Sequence, residues 1–240
     1  MKSTPLALVT GAAHRLGRTF ALTLAQQGYA IVLHFHQSGD AAACTAEELR
    51  SMQVPVFPLE ADLTDPAQIR LLFSRIDSFG LQLKVLVNSA AAMRKDSLMK
   101  VTSEEWDADL NLNLRAPLLL SQEAARRMTG GGLIVNVTDA GAGKAWTGFP
   151  AYQVSKAGLE ALTRIMAKTY APGIRVNAIA PGLVLASADI STEQWNKLVD
   201  HLPLKHPATP DEISLALKFL LQNESVTGQT IVVDGGYSLI

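Results

Sequence analysis

Seven short apolar runs, separated by helix-length stretches, constrain the fold of this chain more than any other feature. They fall at residues 6–10, 30–35, 55–59, 85–88, 133–137, 175–180 and 230–233. Most are continuously apolar rather than alternating, the pattern of strands buried on both faces of a parallel sheet. Parallel neighbours need long crossover connections, and the stretches between the runs carry helix signals. Asp65 before Pro66 reads as an N-cap followed by proline in the first turn. Thr102 and Glu105 fit a capping box, and Gly28 stands where the first helix should stop.

Strand–helix alternation with right-handed crossovers predicts an α/β fold: a Rossmann-like, doubly wound parallel sheet of seven strands in a three-layer αβα sandwich. At 240 residues, with no linker or internal repeat, the chain is expected to form a single domain over residues 1–240. Gly130-Gly131-Gly132 reads as a tight turn into the fifth strand. Residues 184–208 break the rhythm after the sixth strand and are expected to hold a short helix begun by Ser191 or Thr192. Such a departure marks a candidate lid over a pocket.

Composition narrows the partners. A hydrophobic share of 48% against 18% charged residues argues against disorder. The net charge of −1, without a basic block, argues against a nucleic-acid surface, though not against a local basic pocket for one phosphate. A single cysteine, Cys44, excludes an internal disulfide framework and a cysteine-based zinc site, so no metal is expected. No run reaches the length of a membrane span, and the N-terminus shows no signal-peptide pattern. A cytoplasmic protein acting on a small molecule is the expectation.

The first strand runs into Thr10-Gly11-Ala12-Ala13-His14-Arg15-Leu16-Gly17 and then a helix. Glycines in a strand-to-helix turn let the backbone approach a pyrophosphate, and the helix N-terminus supplies N–H groups to it. Two glycines alone would also fit an ordinary turn; the strand-before, helix-after context favours nucleotide binding. Arg15 replaces the middle glycine of the usual pattern and suggests extra negative charge on the ligand. The second strand ends in His34-Phe35-His36-Gln37-Ser38, without the acidic residue that would accept from a ribose 2′-OH. His36, Ser38 and Arg15 together suit a 2′-phosphate, which favours NADPH over NADH; the bland alternative makes His36 and Gln37 ordinary loop residues. Asp62-Leu63 after the third strand reads as a partner for the adenine ring or as a turn aspartate. Small residues at Asn88-Ser89-Ala90-Ala91 let the chain lie close to a cofactor.

Tyr152 and Lys156 stand one helical turn apart on one face. A phenol titrates near ~10 when unperturbed, and an ammonium beside it is expected to lower that value and ready it for acid–base catalysis. Lys156 can also bond a nicotinamide ribose. Asn113, in the helix after the fourth strand, is a candidate to hold a water that relays protons to Lys156. Asp139 lies thirteen residues before Tyr152. An ionised carboxylate there opposes the oxyanion of a ketone reduction but welcomes a substrate that offers N–H groups.

In this order, Thr10-Gly11-xxx-Arg15-x-Gly17, Asn88-Ser89-Ala90, Asn113, Tyr152-xxx-Lys156, Pro181-Gly182 and Asp234-Gly235-Gly236 resemble the short-chain dehydrogenases/reductases over essentially the whole chain. Within that family, Arg15, Asp139 in place of the usual active-site serine, and the ending Asp234-Gly-Gly-Tyr-Ser-Leu239 look like the pteridine reductases, with the bacterial dihydromonapterin reductases similar. The resemblance implies NADPH-dependent reduction of a dihydropterin or dihydrofolate. The hydride would go to a ring carbon and a proton to the adjacent nitrogen. It implies Tyr152 as proton donor assisted by Lys156, Asp139 as the residue orienting the pterin or delivering a proton, and Asn113 as holder of the relay water. Arg15 would touch both cofactor phosphate and pterin, Leu16 and Gly17 the cofactor, and Pro181-Gly182-Leu183 the nicotinamide side. It also implies a homotetramer. The chain departs from the pteridine reductases at Met93, where that subfamily usually has an aromatic residue stacked on the pterin, at Ala91 in place of serine, and at Gln37 in place of arginine. Trp146, Phe149 or Trp195 are candidates for the missing aromatic wall. Two other readings remain open: a carbonyl reductase such as a 3-oxoacyl thioester reductase, and a non-catalytic NADPH-binding regulator.

Overall fold

The structure is a computed structural model that describes residues 4–187 and 190–240. Its seven strands are β1 (Leu6–Val9), β2 (Ala30–Phe35), β3 (Val56–Glu60), β4 (Leu83–Asn88), β5 (Gly132–Val137), β6 (Ile174–Pro181) and β7 (Thr230–Val233). All pair in parallel, in the order β3-β2-β1-β4-β5-β6-β7. The helices are α1 (Arg15–Gln26), α2 (Gly39–Ser51), α3 (Pro66–Asp77), α4 (Ser103–Leu110), α5 (Ala116–Arg127), α6 (Pro150–Tyr170), α7 (Thr192–His201) and α8 (Pro210–Gln222). This is the Rossmann-like α/β architecture that the apolar periodicity predicts.

The continuous apolar runs divide their side chains between two helix layers. In β1, Ala7 and Val9 join a core with Phe20, Leu24, Leu49 and Leu217, under α1, α2 and α8. Leu6 and Leu8 face the other way, onto Leu72, Phe73, Leu120 and Met166 of α3, α5 and α6. Both faces of the sheet are therefore covered at β1, while the edge strands β3 and β7 are partly exposed.

Local signals end the helices where the sequence places them. Asp65 accepts from the Ala67 N–H at 2.7 Å and Pro66 opens α3. Thr102 and Glu105 form the capping box of α4. Gly28, at φ +82°, turns the chain out of α1, a conformation that costs glycine nothing. Ser191 caps α7 in a capping box with Gln194. The candidate lid at 184–208 contains α7; residues 188 and 189 of that stretch lie outside the described residues.

Between α4 and α5 the chain makes a π-helical turn, Asn111–Arg115, which the sequence reading did not foresee. Its closing bond runs from the Ala116 N–H to the Asn111 carbonyl, five residues back, and Pro117 follows with no N–H to offer the Asn113 carbonyl. β1 has β2 on one side and β4 on the other, so the strand order reverses at β1. The connections leaving the carboxyl ends of β1 and β4 diverge there and open a crevice, the place where doubly wound sheets bind ligands.

Candidate active site

The glycine loop follows β1. Gly11 sits at φ +64°, and a Cβ on it would lie 2.9 Å from Ala90 Cα. A Cβ on Gly17 would lie 2.0 Å from the Gly11 carbonyl oxygen. Both glycines are thus required by the protein's own close packing of loop, helix and β4 end. The Thr10 hydroxyl accepts from the Ser89 and Ala90 N–H groups at 2.9 and 3.0 Å, which binds the loop to the residues after Asn88. Among the described residues, the N–H groups of Ala13, His14, Arg15, Leu16 and Gly17 have no protein partner, and the first turn of α1 carries no acidic residue. A run of unpaired donors at the positive end of a helix suits an anion.

Arg15 takes the left-handed conformation, φ +52°, in the slot of the usual second glycine. Its guanidinium donates to the carbonyls of Leu185 and Ala186 at 2.8 and 3.0 Å, joining the glycine loop to the segment after β6. At the carboxyl end of β2, His36 and Gln37 are exposed and Ser38 is partly buried at the N-cap of α2, with no side-chain cap bond. Asp62 Oδ1 accepts from both the N–H and the hydroxyl of Thr64, so this carboxylate shapes the turn before α3; Leu63 is buried beside it. Asn88 is buried and donates to Asn136 at 2.8 Å, tying β4 to β5. The donor set, the single arginine and the lack of a carboxylate at residues 36–38 fit a dinucleotide carrying a 2′-phosphate.

The chemistry end is built from buried titratable side chains. Asp139, just past β5, accepts the Gly141 N–H on Oδ1 and the Tyr152 hydroxyl on Oδ2, both at 2.6 Å. Lys156 is 3% exposed, and its ammonium donates to the Val137 carbonyl at 2.7 Å. Burial pushes the Asp139 carboxyl above the usual range, against the opposing pull of Tyr152, Gly141 and Lys156. Burial lowers Lys156 to about 8, with Asp139 opposing. Tyr152 moves opposite to the expectation from its lysine: burial, then the charge and hydrogen bond of Asp139, push the phenol up. The reason is proximity. The carboxylate touches the phenol oxygen, whereas Lys156 Nζ sits 5.7 Å from the Tyr152 ring centre.

Asn113 is fully buried. Its amide donates to the Ala92 carbonyl at 2.8 Å and to Ser155 Oγ at 3.2 Å, while its Oδ1 accepts from the Ala92 N–H at 2.9 Å. Both amide protons are therefore taken, and the water expected on this residue would have to lie at its backbone. Met93 is exposed in the irregular segment after β4. Pro181 ends β6, Gly182 packs where a Cβ would meet Asp234 at 2.6 Å, and Leu183 accepts the Ala208 N–H at 2.9 Å. Residues 183 and 208 thus anchor the two ends of the candidate lid, and no residue of α7 is buried.

The structure brings two of the aromatic candidates, Trp146 and Phe149, to this site, and adds Lys144 and Gln153, which sequence reading missed. Trp146 lies parallel to Tyr152 with ring centres 6.4 Å apart, and edge-on to Tyr237 and Phe149. Lys144 rests over the Tyr237 ring at 3.8 Å and donates to the Ile240 carbonyl, which holds the C-terminal turn against the loop after β5. Gln153, beside Tyr152, donates to the Gly141 and Lys144 carbonyls and fixes that loop. Gly141, five residues before Trp146, lets the indole approach the backbone: a Cβ there would lie 2.3 Å from the ring. Among the described residues, no group of three or more His, Cys, Asp or Glu side chains suits a metal ion, and no helix is long and apolar enough to cross a membrane.

Residues 11–238 match the family model described as enoyl-(acyl carrier protein) reductase. Among curated proteins, the 3-oxoacyl-[acyl-carrier-protein] reductase FabG of Staphylococcus aureus is 32% identical, the match covering 98% of this chain and 99% of the relative. The 1-cyclohexenylcarbonyl-CoA reductase of Streptomyces collinus is 31% identical over 98% of this chain and 87% of its own. Among solved structures, FolM alternative dihydrofolate reductase 1 from Brucella suis, in complex with NADP, superposes with a TM-score of 0.94 at 30% identity, covering 100% of this chain and 97% of the other.

Proposed function

The chain belongs to the short-chain dehydrogenase/reductase family of oxidoreductases, and on that premise we propose that it is an NADPH-dependent reductase of a pterin-like C=N bond, in a dihydropterin or a dihydrofolate. The observation that carries this reading is the 2.6 Å hydrogen bond from Tyr152 Oη to Asp139 Oδ2. A carboxylate at the phenol opposes negative charge growing on a substrate oxygen, but each of its oxygens keeps a lone pair for a substrate N–H. The NADP-bound Brucella neighbour, a dihydrofolate reductase by name, supports the same direction.

The NADPH, when bound, supplies the hydride. The N–H groups of residues 13–17 and the Arg15 guanidinium would hold its phosphates; His36, Gln37 and Ser38 would take the 2′-phosphate, Asp62 and Leu63 the adenine, Asn88, Ser89 and Ala90 the ribose side, and Pro181, Gly182 and Leu183 the nicotinamide. Lys156 keeps two N–H donors for a ribose hydroxyl beyond the one given to Val137. Tyr152, kept protonated by its buried contact with Asp139, holds the proton that the ring nitrogen receives. Asp139 orients the pterin through its N–H groups, and Lys156, fed by a water at the Asn113 backbone, restores the proton. Arg15 and Met93 border the substrate, and Trp146 supplies the aromatic wall that Met93 lacks. Residues 184–208 act as the lid. A cytoplasmic homotetramer is part of this reading, with exposed Ile165, Leu215 and Phe219 as apolar surface for its contacts.

The S. aureus relative favours a second reading, reduction of a 3-oxoacyl thioester. NADPH oxidation measured with dihydrobiopterin, dihydrofolate and an acetoacetyl thioester separates the two; turnover of the thioester alone would sink the pterin assignment. NADPH binding without turnover of any of them would favour the regulator. Asp139→Ser should lower kcat/KM for the dihydropterin by about 10- to 100-fold, the worth of one hydrogen bond to a charged group. An unchanged value would make the carboxylate a bystander.

A further inference from the structure

His34 lies in the interior of β2 and is 2% exposed. Its ring bridges two segments of the nucleotide end. Nδ1 accepts the Gly11 N–H at 3.2 Å, and Nε2 lies 3.0 Å from the Ala61 carbonyl oxygen. The carbonyl partner fixes the tautomer, because only an Nε2–H can donate to Ala61, which leaves Nδ1 as the acceptor that Gly11 requires. Backbone contacts reinforce the bridge: the Ala12 N–H donates to the His34 carbonyl at 2.9 Å, and the Ala61 N–H to the Phe35 carbonyl at 3.1 Å.

We infer that His34 is a positioning residue for cofactor binding, a neutral imidazole clamp that locks the glycine loop to the end of β3 and so fixes where the phosphate-facing N–H groups point. The inference rests on the nucleotide-site reading above. Two consequences follow from counting donors. The N–H groups of Gly11 and Ala12 are both committed to His34, one to its ring and one to its carbonyl, so neither serves a phosphate. The anion is left to residues 13–17, whose N–H groups have no protein partner among the described residues. Gly11 stands at φ +64°, where the chain has many ways to move, and the Nδ1 bond removes that freedom before any ligand arrives. The imidazole also joins Gly11 to Ala61, which immediately precedes Asp62, so the two ends of the proposed dinucleotide site hang from one side chain. Burial keeps the ring neutral by lowering it to about 4, with the Ala61 carbonyl opposing and His36 and Asp62 acting as smaller charges beside it.

Three variants of the full chain test the clamp. An asparagine at 34 offers an oxygen near the place of Nδ1, a glutamine offers an N–H near the place of Nε2, and a leucine offers neither. NADPH dissociation constants are measured by fluorescence titration, with thermal melts as the folding control. The expected order is wild type, then His34→Asn within about threefold, then His34→Gln and His34→Leu weaker by about tenfold or more, as loss of one hydrogen bond with an unpaired partner implies. The KM for NADPH should rise in proportion, with kcat changing less. Wild-type affinity in the asparagine and glutamine variants alike would overturn the clamp and reduce His34 to core packing, and this comparison stands even if the leucine variant fails to fold. If wild type itself does not bind NADPH, the nucleotide-site reading fails rather than the clamp.

Discussion

The two ends of the crevice are built by different means. At the proposed nucleotide end the backbone offers the groups: the N–H groups of residues 13–17 have no protein partner among the described residues, Thr10 ties the loop to Ser89 and Ala90, and His34 accepts from Gly11. At the proposed chemistry end the candidate groups are side chains, three of them titratable. Asp139, Tyr152 and Lys156 stand within one buried cluster and each is displaced from its ordinary value. One end tolerates no added atoms; the other tolerates no altered proton. Rigidity is what a phosphate cradle requires, since binding then costs little reorganisation, while proton transfer requires groups whose affinities can be set by their neighbours.

Substitution at the chemistry end should give the largest effect. Tyr152→Phe removes only one oxygen, so kcat is expected to fall by about 10³-fold, within the range for loss of a general acid. The NADPH dissociation constant should stay within about twofold, because the phosphate cradle is untouched. A variant that keeps its turnover would remove Tyr152 as the proton donor. At the other end, Gly17→Ala puts a Cβ 2.0 Å from the Gly11 carbonyl oxygen, a clash with backbone that cannot swing away. It should cost about 3 kcal/mol or more in urea unfolding and weaken NADPH binding with it. A native melting curve would show that the loop and helix are looser than their packing implies.

A smaller difference should appear on acidification. His34 is held at about 4, below its ordinary value of 6.5, so between those values the unfolded chain takes up a proton that the folded chain refuses. Its contribution to stability is complete above pH 6.5 and is lost as the pH falls toward 4, by about 3 kcal/mol in all. Asp139 is displaced upward and acts in the opposite sense, so the informative quantity is the difference between wild type and His34→Asn. Urea unfolding of both proteins between pH 7 and 4.5 should show the two curves converging with acid. Parallel curves would mean that His34 ionises freely in the folded protein.

Much of the fold was legible because its signals are local. The seven strands lie within two residues of the apolar runs, and the largest miss is instructive. β4 begins at Leu83 rather than Val85 because Lys84 sits inside the strand with its ammonium turned onto the Gly130 and Gly131 carbonyls. A charge that snorkels to a neighbouring turn looks like a loop residue in the sequence. The caps at Asp65, Thr102 and Ser191 were readable because cap and partner lie within three residues of each other. The π turn at Asn111–Arg115 was not read, since a one-residue slip in a helical ladder leaves the apolar periodicity on either side intact and a proline near a helix start is ordinarily a comfortable residue.

The candidate site divides in the same way. The spacing of Tyr152 and Lys156 placed both side chains on one face of α6, and Asp139 came from the sequence as well. The direction of the Tyr152 shift did not, because it depends on which charge touches the phenol, and that contact joins a loop to a helix. Arg15 was read as a phosphate ligand; that its guanidinium also holds Leu185 and Ala186, about 170 residues away, is visible only after folding. His34 was passed over beside the exposed His36, since nothing in the sequence distinguishes a histidine that faces solvent from one that clamps a loop. The sequence alone therefore determined the layers, the strand order's building blocks and the candidate reacting groups, all of which follow from periodicity and short-range spacing. Tertiary structure decided which partner each buried polar group meets and hence where its protons reside, because hydrogen bonds and local dielectric are properties of neighbours in space.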